Sequence, residues 1–311
     1  MHLAAVPRSD LPRRKPLRFA PLLAGAALLL APWVTMAQQP GPGLARGIAQ
    51  ADSIVAEAVA QERVPGAVLL VAQNGRVLHE RAYGYAQLYE LREGRVERLA
   101  EPRPLHTGTL FDLASVTKVM ATTFAVMLLV DRGALDLDAP VGRYLPELRD
   151  SPHTAITVRH LLTHSSGLYR WQPIYYHAHD AAEALAHIDR LPLEFEIGAG
   201  RQYSDLGFML LGLIVERVSG RRLDAFVREE LYEPLGLRAT VFNPREHGFT
   251  DFAATSHGNP YERQMVHDTA FGYRYDGDPL AWDGWRAYTL VGEVNDGNAY
   301  YAFGGVAGHA G

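Results

Sequence analysis

Cysteine is absent from the 311 residues. That excludes disulfides, thiolate nucleophiles and a lipid anchor built on an N-terminal cysteine. Lysine is almost absent: it occurs at Lys15 and Lys118, and arginine carries every other side-chain positive charge. A basic excess is lacking too. The net charge is −5, and the body beyond residue 37 is more acidic still, with no basic stripe. Nucleic acid is therefore not an expected partner. What is present is ordinary: 48% hydrophobic and 21% charged residues describe a globular chain long enough to bury a substantial core.

The longest apolar run stands near the N-terminus. Arg13, Arg14, Lys15 and Arg18 precede "FAPLLAGAALLLAPWVTMA", and Thr35 and Ala37 fit the small-residue positions before a cleavage point. Residues 1–37 are expected to be a signal peptide, which makes the protein exported, periplasmic or secreted. If retained, the same run is close to the ~20 residues that span a bilayer and would anchor the chain in a membrane. The Pro/Gly-rich residues 38–46 follow as a linker, and a single domain is expected over 47–311.

Within that domain, Ile48, Val55 and Val59 mark one face of a first helix that ends before Pro65. "GAVLLVAQNGRVLHERAYGYA" predicts a β-hairpin turning at Asn74-Gly75. Residues 116–130 are apolar nearly all round and predict a helix buried at the centre. From about 134 to 245 the pattern is helix and loop, a helical subdomain. It includes "SDLGFMLLGLIVERVSG", with Ser204 or Asp205 as N-cap and Gly220 as stop. Beyond about 250 the periodicity is weak. A strand pair, then helices, then irregular β-prone sequence indicates an α/β sheet layer with a helical insertion.

The sole lysine of the body stands three residues after Ser115. On a helix those side chains share a face. A serine hydroxyl needs a base to become nucleophilic. Buried lysine can serve, whereas a guanidinium does not deprotonate in proteins. Ser115, at the start of a buried helix, also has an N–H placed to donate to an oxyanion. Ser-x-x-Lys alone is a short pattern that chance can produce, so its surroundings decide.

"FDLASVTKVMATT" resembles the first box of the serine β-lactamase and penicillin-binding-protein superfamily. It is most similar to the branch of class C β-lactamases, D-alanyl-D-alanine carboxypeptidases and related esterases. "VPGAVLLVAQNGRVLHERAYGYA" resembles the opening strands of that branch, "ITVRHLLTHSSGL" its "LLTHTSGL" segment, and "GAGRQYSDLGFMLLG" its Tyr-x-Asn second box. The likeness covers about residues 48–311. It implies an antiparallel sheet flanked by helices with an all-helical subdomain. It also implies Ser115 as nucleophile, Lys118 as its activator and Tyr203 as proton shuttle to the leaving group. Asp205 stands where asparagine is usual. If it faces Lys118, it favours the ammonium and moves the base role towards Tyr203.

The expected activity is that of a serine hydrolase forming an acyl-enzyme on D-Ala-D-Ala-type peptides, esters or amides. A β-lactamase and a non-catalytic penicillin-recognising protein are the alternatives. The partner is a small molecule or peptidoglycan peptide, with no cofactor and no metal expected. The third Lys/His-x-Gly box of the branch is expected beyond residue 311, together with its sheet strands. His309-Ala310-Gly311 fits a glycine-rich segment better than that box. Three further groups of residues are expected to be structural: His177-x-His179-Asp180 as a solvated loop rather than a zinc site, His164 with Ser165 and Ser166 as a turn, and Asp112 as a turn or cap residue. Tyr169, Trp171, Tyr175 and Tyr176 suit either a cleft wall or packing.

Overall fold

The computed structural model describes residues 41–268 and 282–311. The expected signal peptide, and the first residues of the expected linker, lie outside them. The rest of the linker is a correction: helix α1 already runs from Pro42 to Ala60. Proline at the start of a helix gives up an N–H that has no intrahelical partner there, so Pro42 opens the helix rather than breaking it.

Three antiparallel strands follow in the order β1 (Gly66–Gln73), β2 (Arg76–Arg92) and β3 (Arg95–Pro104). Asn74 and Gly75 both take positive φ, 51° and 74°, as expected for the hairpin turn. The second turn uses Glu93 and Gly94 at 49° and 77°. Glutamate is a poor signal for that conformation, so β3 was not foreseen. α1 is tied to this sheet through Asp52, which accepts from the Tyr83 hydroxyl and from Arg81 at 3.0 Å.

Residues 114–131 form one helical path with three windings: a 3₁₀ turn at Ala114–Val116, π turns over Lys118–Thr123, and regular helix α2 over Phe124–Asp131. The Thr123 hydroxyl donates to the Lys118 carbonyl at 2.7 Å, five residues back, which matches the wide π winding. Lys118, Ala121, Thr122, Ala125, Val126 and Leu129 are buried, but Val119 and Met127 are each 55% exposed. The expectation of a helix buried on all sides is thus met on one face only. An all-apolar run does not encode which side its neighbours cover.

The described elements from 132 to 250 contain no strand. Thr157 caps α3 (Val158–Leu162) and Asp180 caps α4 (Ala181–Arg190). α5 (Asp205–Ser219) begins at the Ser204 cap and stops at Gly220 with φ 70°, both as read from sequence. Its Leu206, Met209, Leu210, Leu211, Ile214 and Val215 are completely buried. They are the hub of a core shared with α2, α3 and α6 (Leu223–Val227). Each such side chain contributes about 1.5–3 kcal/mol relative to exposure, so α5 dominates the stability of the block.

The remaining chain adds β4 (Ala254–His257), α7 (Pro260–His267), β5 (Thr289–Val291), antiparallel to β4, and α8 (Gly297–Ala302). Trp171, Tyr175, Met265 and Val266 form a second core there, with Trp282, Trp285 and Tyr301 packed on it. Packing therefore accounts for Trp171 and Tyr175. Asp180 accepts from the Ala182 and Glu183 N–H groups, and His177 stacks on His187 at 4.4 Å. The His177–Asp180 stretch is a capping turn.

Candidate active site

Ser115 is exposed, and Lys118 directly beneath it is 4% exposed. Lys118 Nζ donates to Ser115 Oγ at 3.0 Å. It donates again to the His309 carbonyl at 3.0 Å and pairs with Asp205 Oδ1 at 2.6 Å. A lysine ammonium has three N–H bonds, and here it has one oxygen neighbour for each. The arrangement suits a held cation that orients the serine oxygen.

The turn before Ser115 is shaped by Asp112. One carboxylate oxygen accepts from Ala114 N at 2.7 Å and the other from Asn295 N at 2.8 Å. Ala114 sits at φ 44°, a strained position for a residue with a Cβ, which turns the chain into the helix at Ser115. Burial pushes the Asp112 carboxyl above its ordinary value, while the two N–H donors act against it. Asp112 is a turn residue, as expected.

The second box approaches from α5. Asp205 is the first residue of that helix, so its carboxylate sits where the helix dipole favours negative charge. Tyr203 is 43% exposed, and Lys118 Nζ lies 4.8 Å from its ring centre. Between them, Ser204 locks the backbone: its hydroxyl donates to the Tyr169 carbonyl at 2.7 Å and accepts from Gly207 N at 3.1 Å. The four residues singled out from sequence, Ser115, Lys118, Tyr203 and Asp205, thus converge on one amine.

His164 was taken as a structural residue, and the structure puts it in this site. Its ring packs on Tyr203 at 4.6 Å and on Phe208 at 5.1 Å, and Nδ1 accepts from Ser204 N at 3.1 Å. Burial pushes the imidazole below its ordinary value; the Lys118 and Arg201 cations act in the same direction, against Asp205. A neutral ring fits the acceptor role at Nδ1. The signal available in sequence was the His-Ser-Ser-Gly turn itself, but His164 needs φ 59° to reach Tyr203, and only the tertiary fold imposes that.

Two further residues lie behind the amine. Asp296 Oδ1 accepts from His309 Nε2 at 2.8 Å. Burial works to raise the Asp296 carboxyl, but His309, the Ala299 N–H and Lys118 together hold it below the ordinary range. The His309 ring therefore turns to Asp296, not to Ser115, in keeping with a glycine-rich segment rather than a third box. Asp205, Asp296 and His309 lie close enough together to share a cation. Since Lys118 Nζ already pairs with Asp205, the lysine supplies that charge.

Comparison with known proteins identifies the family. A family model described as Beta-lactamase matches residues 51–308. An N-acetylmuramyl-L-alanine amidase of Bacillus subtilis (strain 168) is 39% identical over 79% of this chain and 55% of its own length. A protein of Escherichia coli (strain K12), provisionally named a D-alanyl-D-alanine carboxypeptidase, is 36% identical over 79% of this chain and 56% of its own. The chain thus spans about half the length of the curated relatives it matches. Among solved structures, EstCE1, a hydrolase with promiscuous acyltransferase activity, superposes with a TM-score of 0.56 at 27% identity, covering 68% of this chain and 56% of its own. With a family match running from α1 to Gly308, and the Ser-x-x-Lys pair in hydrogen-bond contact, the chain belongs to the β-lactamase family of hydrolases.

Proposed function

We propose that this protein is an exported serine hydrolase that forms an acyl-enzyme at Ser115 on D-Ala-D-Ala-type peptides, esters or amides. The observation that carries the reading is the 3.0 Å contact between Lys118 Nζ and an exposed Ser115 Oγ, made while Asp205 and the His309 carbonyl hold the amine. Ser115 Oγ attacks the carbonyl carbon of the substrate. Because Nζ donates to Oγ, the serine proton leaves towards the Tyr203 oxygen, which takes it as the phenolate, rather than towards the amine. The tetrahedral oxyanion takes a hydrogen bond from the Ser115 N–H, at the positive end of the helix. Tyr203 returns the proton to the departing amine or alcohol, and the acyl group stays on Oγ. Water then attacks the ester, Oγ regains its proton, and the acid product leaves.

The relatives suggest the substrate classes: one is named for the amide between N-acetylmuramyl and L-alanine, one for a D-alanyl-D-alanine bond, and one structure for promiscuous acyl transfer. The Asp205 carboxylate beside the amine disfavours substrates whose own carboxylate must approach it, which places neutral esters and amides ahead of β-lactams and of D-Ala-D-Ala peptides with a free carboxylate. The test is a panel of p-nitrophenyl esters, a D-Ala-D-Ala peptide and nitrocefin, with Ser115→Ala as control. Hydrolysis of the esters or the peptide that falls at least about 10³-fold in Ser115→Ala is the expected result. Turnover that survives that substitution, or nitrocefin as much the best substrate, would overturn it.

A further inference from the structure

Asp296 and His309 touch neither Ser115 nor Tyr203 in sequence pattern, yet they close the site from behind. Asp296 caps α8, accepting from Ala299 N at 2.7 Å, and the same Oδ1 accepts from His309 Nε2. The His309 ring is 1% exposed, and its Nδ1 has no hydrogen-bond partner among the described residues. A buried ring with one nitrogen unsatisfied is unfavourable to keep unless it holds something in place. What it holds is the backbone at 308–309. The His309 carbonyl accepts from Lys118 Nζ, and the Gly308 carbonyl accepts from the Thr122 hydroxyl at 2.6 Å. On the other side this segment presses on α5 so closely that a Cβ on Gly308 would stand 2.0 Å from the Phe208 carbonyl.

From this geometry we infer that Asp296 and His309 are positioning residues for acylation of Ser115. Asp296 fixes the His309 ring, and the His309 carbonyl aims the Lys118 amine at Ser115 Oγ. The inference rests on the serine-hydrolase reading above. Asp296 also places a second carboxylate charge near Lys118, beyond that of Asp205. The groups facing Asp296 are His309, Lys118, Asp205, Asp112, Glu262 and Tyr175. Of these, Lys118 is the one that contacts the nucleophile. Loss of the Asp296 acceptor or of the His309 ring frees the 308–309 backbone, so the amine is no longer aimed at Ser115 Oγ.

The experiment measures the second-order rate of Ser115 labelling by a fluorophosphonate across pH. It compares the full chain with Ser115→Ala, Asp296→Asn, Asp296→Glu, His309→Leu and His309→Gln. Asp296→Asn, a weaker acceptor for the His309 ring, is expected to slow labelling about ten- to a hundredfold. Asp296→Glu keeps a carboxylate acceptor, so it slows labelling less than Asp296→Asn. His309→Leu slows labelling, and His309→Gln, whose amide can still donate to Asp296, recovers part of the rate. A merely structural role gives no such recovery, because glutamine restores the hydrogen bond to Asp296 and not the buried ring. A wild-type labelling rate in Asp296→Asn overturns the proposal. Should that variant not fold, equal rates in His309→Leu and His309→Gln overturn it. If the wild-type chain is not labelled at Ser115, the serine reading fails first and takes this proposal with it.

Discussion

The α1–sheet layer and the helical block around α5 are held together in different ways. In the layer, α1 has no buried residue, and its ties to β2 and β3 are mostly exposed polar pairs, Asp52 with Arg81 and Glu62 with Arg98 and Tyr89, beside the half-buried bond from the Tyr83 hydroxyl to Asp52. In the block, α5 buries nine of its fifteen residues. Water competes for most contacts of the first kind and for few of the second. The active site hangs on the second kind: Lys118, Ser204 and His309 are all buried. Their geometry is therefore as firm as the core beneath them.

The sharpest way to break this contrast is Leu210→Ala. A fully buried leucine in α5 leaves a cavity, and unfolding should become easier by about 2–5 kcal/mol in a denaturant titration. An effect of the same order, but switched by pH, is expected at Glu262. Burial first, and then the Asp296 charge, push its carboxyl up to about 8 from the ordinary 4.5. A raised folded value means the wild type loses stability as pH rises from 4.5 through 8. Glu262→Gln cannot ionise, so its melting temperature should gain steadily on the wild type over that window; a constant difference would contradict the assignment.

Ser204→Ala comes next. It removes the cap of α5 and its bond to Tyr169 together, costing about 1–2 kcal/mol. Because Ser204 lies between Tyr203 and Asp205, labelling of Ser115 should slow as well, measured at a temperature where the variant is folded. The smallest effect belongs to the other layer. Arg98→Ala breaks an exposed pair with Glu62, and its thermal midpoint should stay close to that of the wild type. If Arg98→Ala destabilised as much as Leu210→Ala, the two layers would not differ as described.

Much of the helical block was legible in advance. The Ser204 and Gly220 signals bound α5 where local chemistry says they should, and Asn74-Gly75 turned the first hairpin. The Glu93-Gly94 turn was not legible, because tertiary pairing overrode a weak local preference. The run 116–130 showed that it was helical and apolar, but not that Val119 and Met127 face outwards, nor that Thr123 helps widen the helix just after Lys118.

The lone lysine of the body, its three-residue offset from Ser115 and the Tyr-Ser-Asp box are properties of the sequence by itself. They pointed to a serine and an amine in reach of each other, because positions three apart share a helix face and a guanidinium does not deprotonate in proteins; the two groups beside them came from the resemblance of the Tyr-Ser-Asp box. What faces that amine was decided only by the tertiary structure. Asp205 at 2.6 Å, the His309 carbonyl at 3.0 Å and the His164 ring on Tyr203 come from segments 39 to 191 positions away from the residues they touch. No local pattern encodes such contacts. They exist because burial of α5 and the close approach of Gly308 bring those segments to one place.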